Sequence, residues 1–83
     1  MYKFHIDPKR KWLEVPMEEL EELDIAHRIS DDSLRCESIC YLEEDCDMAK
    51  FMIAFAEHKG YAPDLEEVPM DIPLNELYRS YYV

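Results

Sequence analysis

The apolar run Ile39-Cys40-Tyr41-Leu42, the carboxylates of Glu43-Glu44-Asp45-Cys46-Asp47 after it, and the repeat of Met48, Phe51, Met52 and Phe55 constrain this chain most tightly. A continuous apolar run of that length belongs in the middle of a sheet, covered on both faces, so a strand is expected within residues 38–43. Asp45 or Asp47 is then placed to cap a helix, because either carboxylate can accept from the free N–H groups of a first turn. Met48, Phe51, Met52 and Phe55 recur on one helical face, and Ala49, Ile53 and Ala56 widen it to more than half the circumference. Only Lys50, Glu57 and the neighbourhood of Ala54 are left pointing outward. Gly60, the sole glycine, follows His58 and Lys59, where a left-handed cap and cationic last-turn side chains are both expected. The stretch therefore predicts one main amphipathic helix, about residues 46–59, lying on a sheet.

Upstream, Tyr2, Phe4 and Ile6 alternate with Lys3 and His5 at the period of a half-buried strand. Asp7-Pro8-Lys9-Arg10 then offers Asp and Pro at the first two positions of a type I turn, so residues 11–15 return as a second strand. Trp12, the only tryptophan, anchors either the core or a partner site. Pro16 suits the first turn of a short helix with an apolar edge of Met17, Leu20 and Leu23 or Ile25, expected to end near Asp24. Residues 34–36 can pair with the central strand across a hairpin. Downstream, residues 61–68 read as a last strand, kept to an edge or loop start by Pro63. Leu74, Leu77, Tyr78 and Tyr81 match the i, i+3, i+4, i+7 pattern, which predicts a terminal helix over residues 72–82. Val15-Pro16-Met17-Glu18 and Val68-Pro69-Met70-Asp71 read as one strand-to-helix punctuation used twice.

These elements make residues 1–83 a single acidic α+β domain. The expected architecture is a small, mainly antiparallel sheet of three to five strands with the main helix and one or two short helices packed on it. A chain this short buries only about 60 to 65 % of its unfolded surface, so a few large side chains must carry the core.

Charge narrows the functional classes. Twenty Asp and Glu against nine Lys and Arg give a formal net charge of -11, and residues 1–11 are locally basic through Lys3, Lys9, Arg10 and Lys11. Such a field repels nucleic acid and anionic membrane and attracts basic protein surfaces. With no apolar run near the roughly 20 residues of a bilayer span, no signal-peptide core and an odd number of cysteines, a cytosolic protein with reduced thiols is expected. Cys36, Cys40 and Cys46 are spaced C-x3-C-x5-C, unlike paired zinc ligands, and the Glu43 to Asp47 corner lacks the alternating ligands of a calcium loop. Acids beside Cys46 oppose a lowered thiol pKa there. No phosphate-binding glycine loop or serine-nucleophile motif is present. The expectation is no catalytic residue, no metal and no cofactor.

What remains is the acid distribution. Glu18, Glu19 and Glu22 on the first helix, Asp31 and Asp32 in a turn, and Glu43, Glu44 and Asp47 at the corner are the candidate partner-binding residues, with Glu66 and Glu67 as further carboxylates. Together they can imitate the charge spacing of a nucleic-acid backbone. The expected function is a non-enzymatic acidic protein-binding module. It would inhibit or regulate a nucleic-acid-processing or host-defence enzyme by covering its basic surface. Small size, acidity and missing catalytic signatures are similar in type to phage- and plasmid-encoded inhibitors that act as DNA mimics, an analogy that no motif carries. The alternative is a structural, assembly or homodimerisation module that binds through apolar surface, using Trp12 or Tyr78, Tyr81 and Tyr82.

Overall fold

The computed structural model describes residues 1–82, in the order β1 (Tyr2–Ile6), β2 (Lys11–Pro16), α1 (Met17–Glu22), β3 (Leu34–Cys36), β4 (Ile39–Glu43), α2 (Met48–Lys59), β5 (Leu65–Pro69) and β6 (Arg79–Ser80). Two single 3-10 turns, Ala26–Arg28 and Leu74–Glu76, interrupt the connections. The strands form one sheet ordered β5-β1-β2-β4-β3-β6. It has six strands and is mixed, which corrects the expectation of a mainly antiparallel sheet of three to five. The added features lie at its two edges. At one edge β5 runs parallel to β1, from Tyr2 opposite Leu65 to Ile6 opposite Pro69. At the other, the two-residue β6 pairs with Leu34 and Arg35.

The parallel edge follows from α2. A strand can return parallel to an earlier one only through a crossover, and α2 supplies it by carrying the chain from β4 across β2 and β1. Gly60 ends the helix in the left-handed region (φ 85), and its N–H donates to the Ala56 carbonyl. The helix α1 ends similarly, with Asp24 at φ 56 and the Ile25 N–H reaching back to the Leu20 carbonyl. That is a Schellman closure with aspartate where glycine is commonest.

Alternation along the strands sorts side chains to two faces. Phe4, Leu13, Val15, Cys40 and Leu42 point to the front, where Leu20, Ile25, Ile29, Phe51 and Phe55 cover them. The Tyr2 ring meets Phe51 and Phe55 edge-on at 5.2 and 5.9 Å. On the back face, Trp12, Leu34 and Tyr41 pack with Leu74, flanked by Ile39, Met70 and Tyr78. His5 lies on this face too; its Nε2 is 2.8 Å from Glu14 Oε1, and its buried Nδ1 has no partner among the described residues.

The main helix buries a narrower stripe than its sequence suggests. Phe51 and Phe55 are buried and Met48, Met52 and Ala54 half-buried, but Ala49, Ile53 and Ala56 face outward, Ile53 at 61 % exposure. The phase is set by Asp47, which is tied to residues 30 and 33 as described below and so turns Phe51 and Phe55 inward.

The expected terminal helix over residues 72–82 does not form. Leu74 belongs to the back cluster, Tyr81 to the front one, and Leu77 is exposed, so these positions do not share a stripe. Three contacts draw the segment across the back face instead. Asp7 Oδ2 accepts from the Leu74 N–H at 2.8 Å, the Tyr78 ring stacks on Tyr41 at 4.7 Å, and the Tyr81 N–H donates to the Ser33 carbonyl. Likewise Val68-Pro69-Met70-Asp71 leads to no α-helix, so the resemblance to residues 15–18 is not a shared punctuation.

Asp7 is the joint of this back face. Its Oδ1 accepts from the Lys9 and Arg10 N–H groups and closes the hairpin turn, while Oδ2 accepts from the Trp12 indole at 2.7 Å and from Leu74. Replacing it leaves a buried indole N–H and a buried amide unpaired, each costing about 1 to 3 kcal/mol. Asp7→Ala is therefore expected to lower unfolding stability by about 3 kcal/mol in urea denaturation, with Trp12 fluorescence shifted toward that of solvent-exposed indole. A loss below about 0.5 kcal/mol would show that the joint does not hold the back face.

Candidate functional site

The eight candidate carboxylates fall into two groups at opposite ends of α2. Glu18, Glu19 and Glu22 stand beside its C-terminal end, around a cleft that they share with Tyr2, Phe55 and Lys59. Asp31, Asp32, Glu43, Glu44 and Asp47 gather at its N-terminal end. The 12-residue helix between the two groups is about 18 Å long.

Five of the eight are exposed and, among the described residues, lack a cation within 4 Å: Glu18, Glu22, Asp31, Asp32 and Glu44. Glu19 is half-buried and accepts the Tyr2 hydroxyl. That contact fastens α1 to the first strand, and burial followed by the Glu19 carboxylate pushes the Tyr2 phenol above its ordinary value.

Glu43 and Asp47 are not on the surface. Glu43 is 4 % exposed on β4, with the Arg10 guanidinium 3.9 Å away. Asp47 is 0 % exposed and is consumed by the fold. Its Oδ2 accepts from the Ser30 and Ser33 hydroxyls, and its Oδ1 from the Ser30 N–H at 3.0 Å and the Lys50 ammonium at 2.9 Å. Burial pushes this carboxyl up, but hydrogen bonds from Ser33, Lys50 and Ser30 outweigh it and hold it below the ordinary aspartate value. Asp47 does not cap α2 with its side chain, and neither does Asp45; no side-chain cap bond is present there. Its backbone carbonyl accepts from the Lys50 and Phe51 N–H groups, so the helix starts from Asp47 while the carboxylate faces the loop.

This junction has a consequence for the surface. By binding residues 30 and 33 to the start of α2, Asp47 brings the exposed Asp31-Asp32 turn and the Glu44-Asp45 corner to one end of the molecule. The same end holds the basic hairpin turn, and a shallow cleft lined by Lys9, Arg10, Lys11, Glu43, Glu44 and Asp45 separates the two charges. Acid at this end is partly offset by the hairpin, while α1 carries Glu18, Glu19, Glu21 and Glu22 with no basic residue of its own and meets Lys59 across its cleft.

The cysteines stand apart in exposure. Cys36 is exposed, Cys46 half-buried and Cys40 buried, and burial pushes the Cys40 thiol up to about 11. Among the described residues, no group of three or more His, Cys, Asp or Glu could hold a metal ion. No helix among them is long and apolar enough to cross a membrane.

No family model, curated protein or solved structure matches this chain. Function must therefore be argued from the geometry.

Asp7 and the Ser30 and Ser33 hydroxyls were not among the sequence candidates. A signal existed for Asp7, since an Asp-Pro turn five residues before the only tryptophan can bind the indole. None existed for the serines, which lie 17 and 14 residues from Asp47. The two kinds of carboxylate separate by experiment. Asp47→Ala is expected to cost about 3 kcal/mol, because it removes the shared acceptor of the Ser30 and Ser33 hydroxyls and the Ser30 N–H from a buried site. Glu44→Lys and Asp31→Lys, at exposed positions, should stay within about 0.5 kcal/mol of the parent in the same thermal or urea unfolding measurement.

Proposed function

We propose that this protein is a non-enzymatic acidic binding module that covers the basic, nucleic-acid-binding surface of a partner protein, acting as its inhibitor or regulator. The observation that carries the reading is the placement of uncompensated charge. Glu18 and Glu22 at one end of α2 and Asp31, Asp32 and Glu44 at the other are exposed, are bound to no cation and contribute nothing visible to the packing. Like charges held this close raise the free energy of the isolated chain, and a cationic surface relieves that cost while releasing counterions.

The separation supports a nucleic-acid-like pattern. Two acidic groups at opposite ends of a helix about 18 Å long can meet cations that otherwise hold phosphates several base-pair steps apart. The partner class is then a nucleic-acid-processing or host-defence enzyme, in the manner of DNA mimics from phages and mobile elements. An assembly role through Trp12 finds less support, since Trp12 is 1 % exposed and Tyr81 is buried.

The test is affinity capture followed by a salt series with the captured partner. Binding is expected to fall steeply from about 50 to about 500 mM salt, as expected when several ion pairs form across an interface. Glu18→Lys with Glu22→Lys, and separately Asp31→Lys with Asp32→Lys, should each weaken it at least about tenfold without loss of folding. Binding indifferent to salt and to both pairs of substitutions would overturn the proposal.

A further inference from the structure

On the outward stripe of α2, exposed apolar side chains and a non-negative charge coincide. Ala49, Ile53 and Ala56 lie within about 60° of one another on the helix and are all exposed. The helix carries Lys50 and Lys59 against Glu57 alone, in a chain whose net charge is -11. We infer that this stripe is the contact face of a symmetric homodimer in which α2 packs antiparallel against α2 of a second copy, with Ile53 at the two-fold axis.

Charge order along the helix selects that occupant. Lys50 precedes Ile53 by three residues, Glu57 follows it by four, and at 100° per residue both project from the same flank of the stripe. A two-fold axis at Ile53 reverses the helix without exchanging its flanks, so Lys50 of each copy comes beside Glu57 of the other. Glu57 has no cation within 4 Å among the described residues. The Lys50 ammonium donates to Asp47 Oδ1 and to the Arg28 carbonyl, which leaves its third N–H free. The same reversal sets the Lys59 end of one helix against the Glu44-Asp45 corner of the other, cation against anion, and opposes the two helix dipoles. Ala49 and Ala56 on either side of Ile53 permit the close interaxial approach of about 8 Å that small contact residues allow. A self-complementary patch of this kind closes as a dimer. An approach through α1 would instead set four glutamates against the same four of the second copy.

Sedimentation equilibrium on the intact chain tests the arrangement. The mass should rise with concentration from that of one 10.0 kDa chain to twice that value. Ile53→Asp should raise the dimer dissociation constant at least about a hundredfold and leave the thermal midpoint of the monomer unchanged, because the residue is exposed. Glu57→Lys should weaken the dimer at least about tenfold at low salt, with the loss recovered near 1 M salt as repulsion from the second copy's lysine is screened. A chain that stays monomeric up to about 1 mM overturns the proposal, as does an Ile53→Asp variant that dimerises as strongly as the parent. Insensitivity to Glu57→Lys alongside full sensitivity to Ile53→Asp overturns the antiparallel register.

Discussion

Four N–H groups converge on the Asp7 carboxylate, and the back half of the molecule depends on that convergence. Two of them close the β1–β2 turn, one is the indole of the largest core side chain, and one belongs to Leu74 far along the sequence. The chain after β5 has little regular structure to hold it to the sheet. Without a fixed acceptor at Asp7, neither Leu74 nor the Tyr78 ring would have reason to lie over Trp12 and Tyr41. A buried carboxylate is costly unless its lone pairs are filled. Here that cost is offset only when the turn, the indole and the distant segment are all in place, which makes one charged group a check on three parts of the fold.

Asp47 performs the corresponding task on the other side. Loop, strand and helix meet at its two oxygens, and the phase of α2 follows from the meeting. Both carboxylates are satisfied from within, and with Glu14, Glu19 and Glu43 they are a minority in a chain of twenty acids. Most of the others stand on the surface without cations. The fold thus uses a small part of its acid for structure and exports the rest, and it is the exported part that has a function to find. The outward face of α2 is spared from this export, so one chain offers two chemically different surfaces, one acidic and one a mainly apolar helix stripe.

Much of the architecture could be read from residue order. The β1–β2 hairpin, the covered central strand and the end of α2 all follow from local signals, namely alternation, an Asp-Pro turn, a continuous apolar run and a single glycine at a left-handed cap. What failed was non-local. Residues 72–82 show helical spacing, but their apolar side chains are divided between two faces of the sheet by contacts to Asp7, Tyr41 and Ser33. The parallel pairing of β5 is decided by where α2 deposits the chain, which no window of sequence encodes. Glu43 and Asp47 sit in a run of acids that reads as one solvated corner. The strand's alternation buries the first, and two serines elsewhere in the chain claim the second. Glu18, Glu22, Asp31, Asp32 and Glu44 did fall on the surface, as helix periodicity and turn chemistry suggested.

The division between structural and exported acid can be measured directly, carboxyl by carboxyl, in an NMR pH titration of the folded protein. Burial pushes both Asp7 and Asp47 up, but their hydrogen bonds outweigh it, so each lies below the ordinary aspartate value of 3.8. A carboxyl depressed by folding contributes stability that is present above its unfolded value and lost as pH falls through its folded one. The account predicts that both side chains remain ionised as the pH passes below 3.8 for as long as the fold persists. Protonation of either at or above 3.8 in the folded state would contradict it.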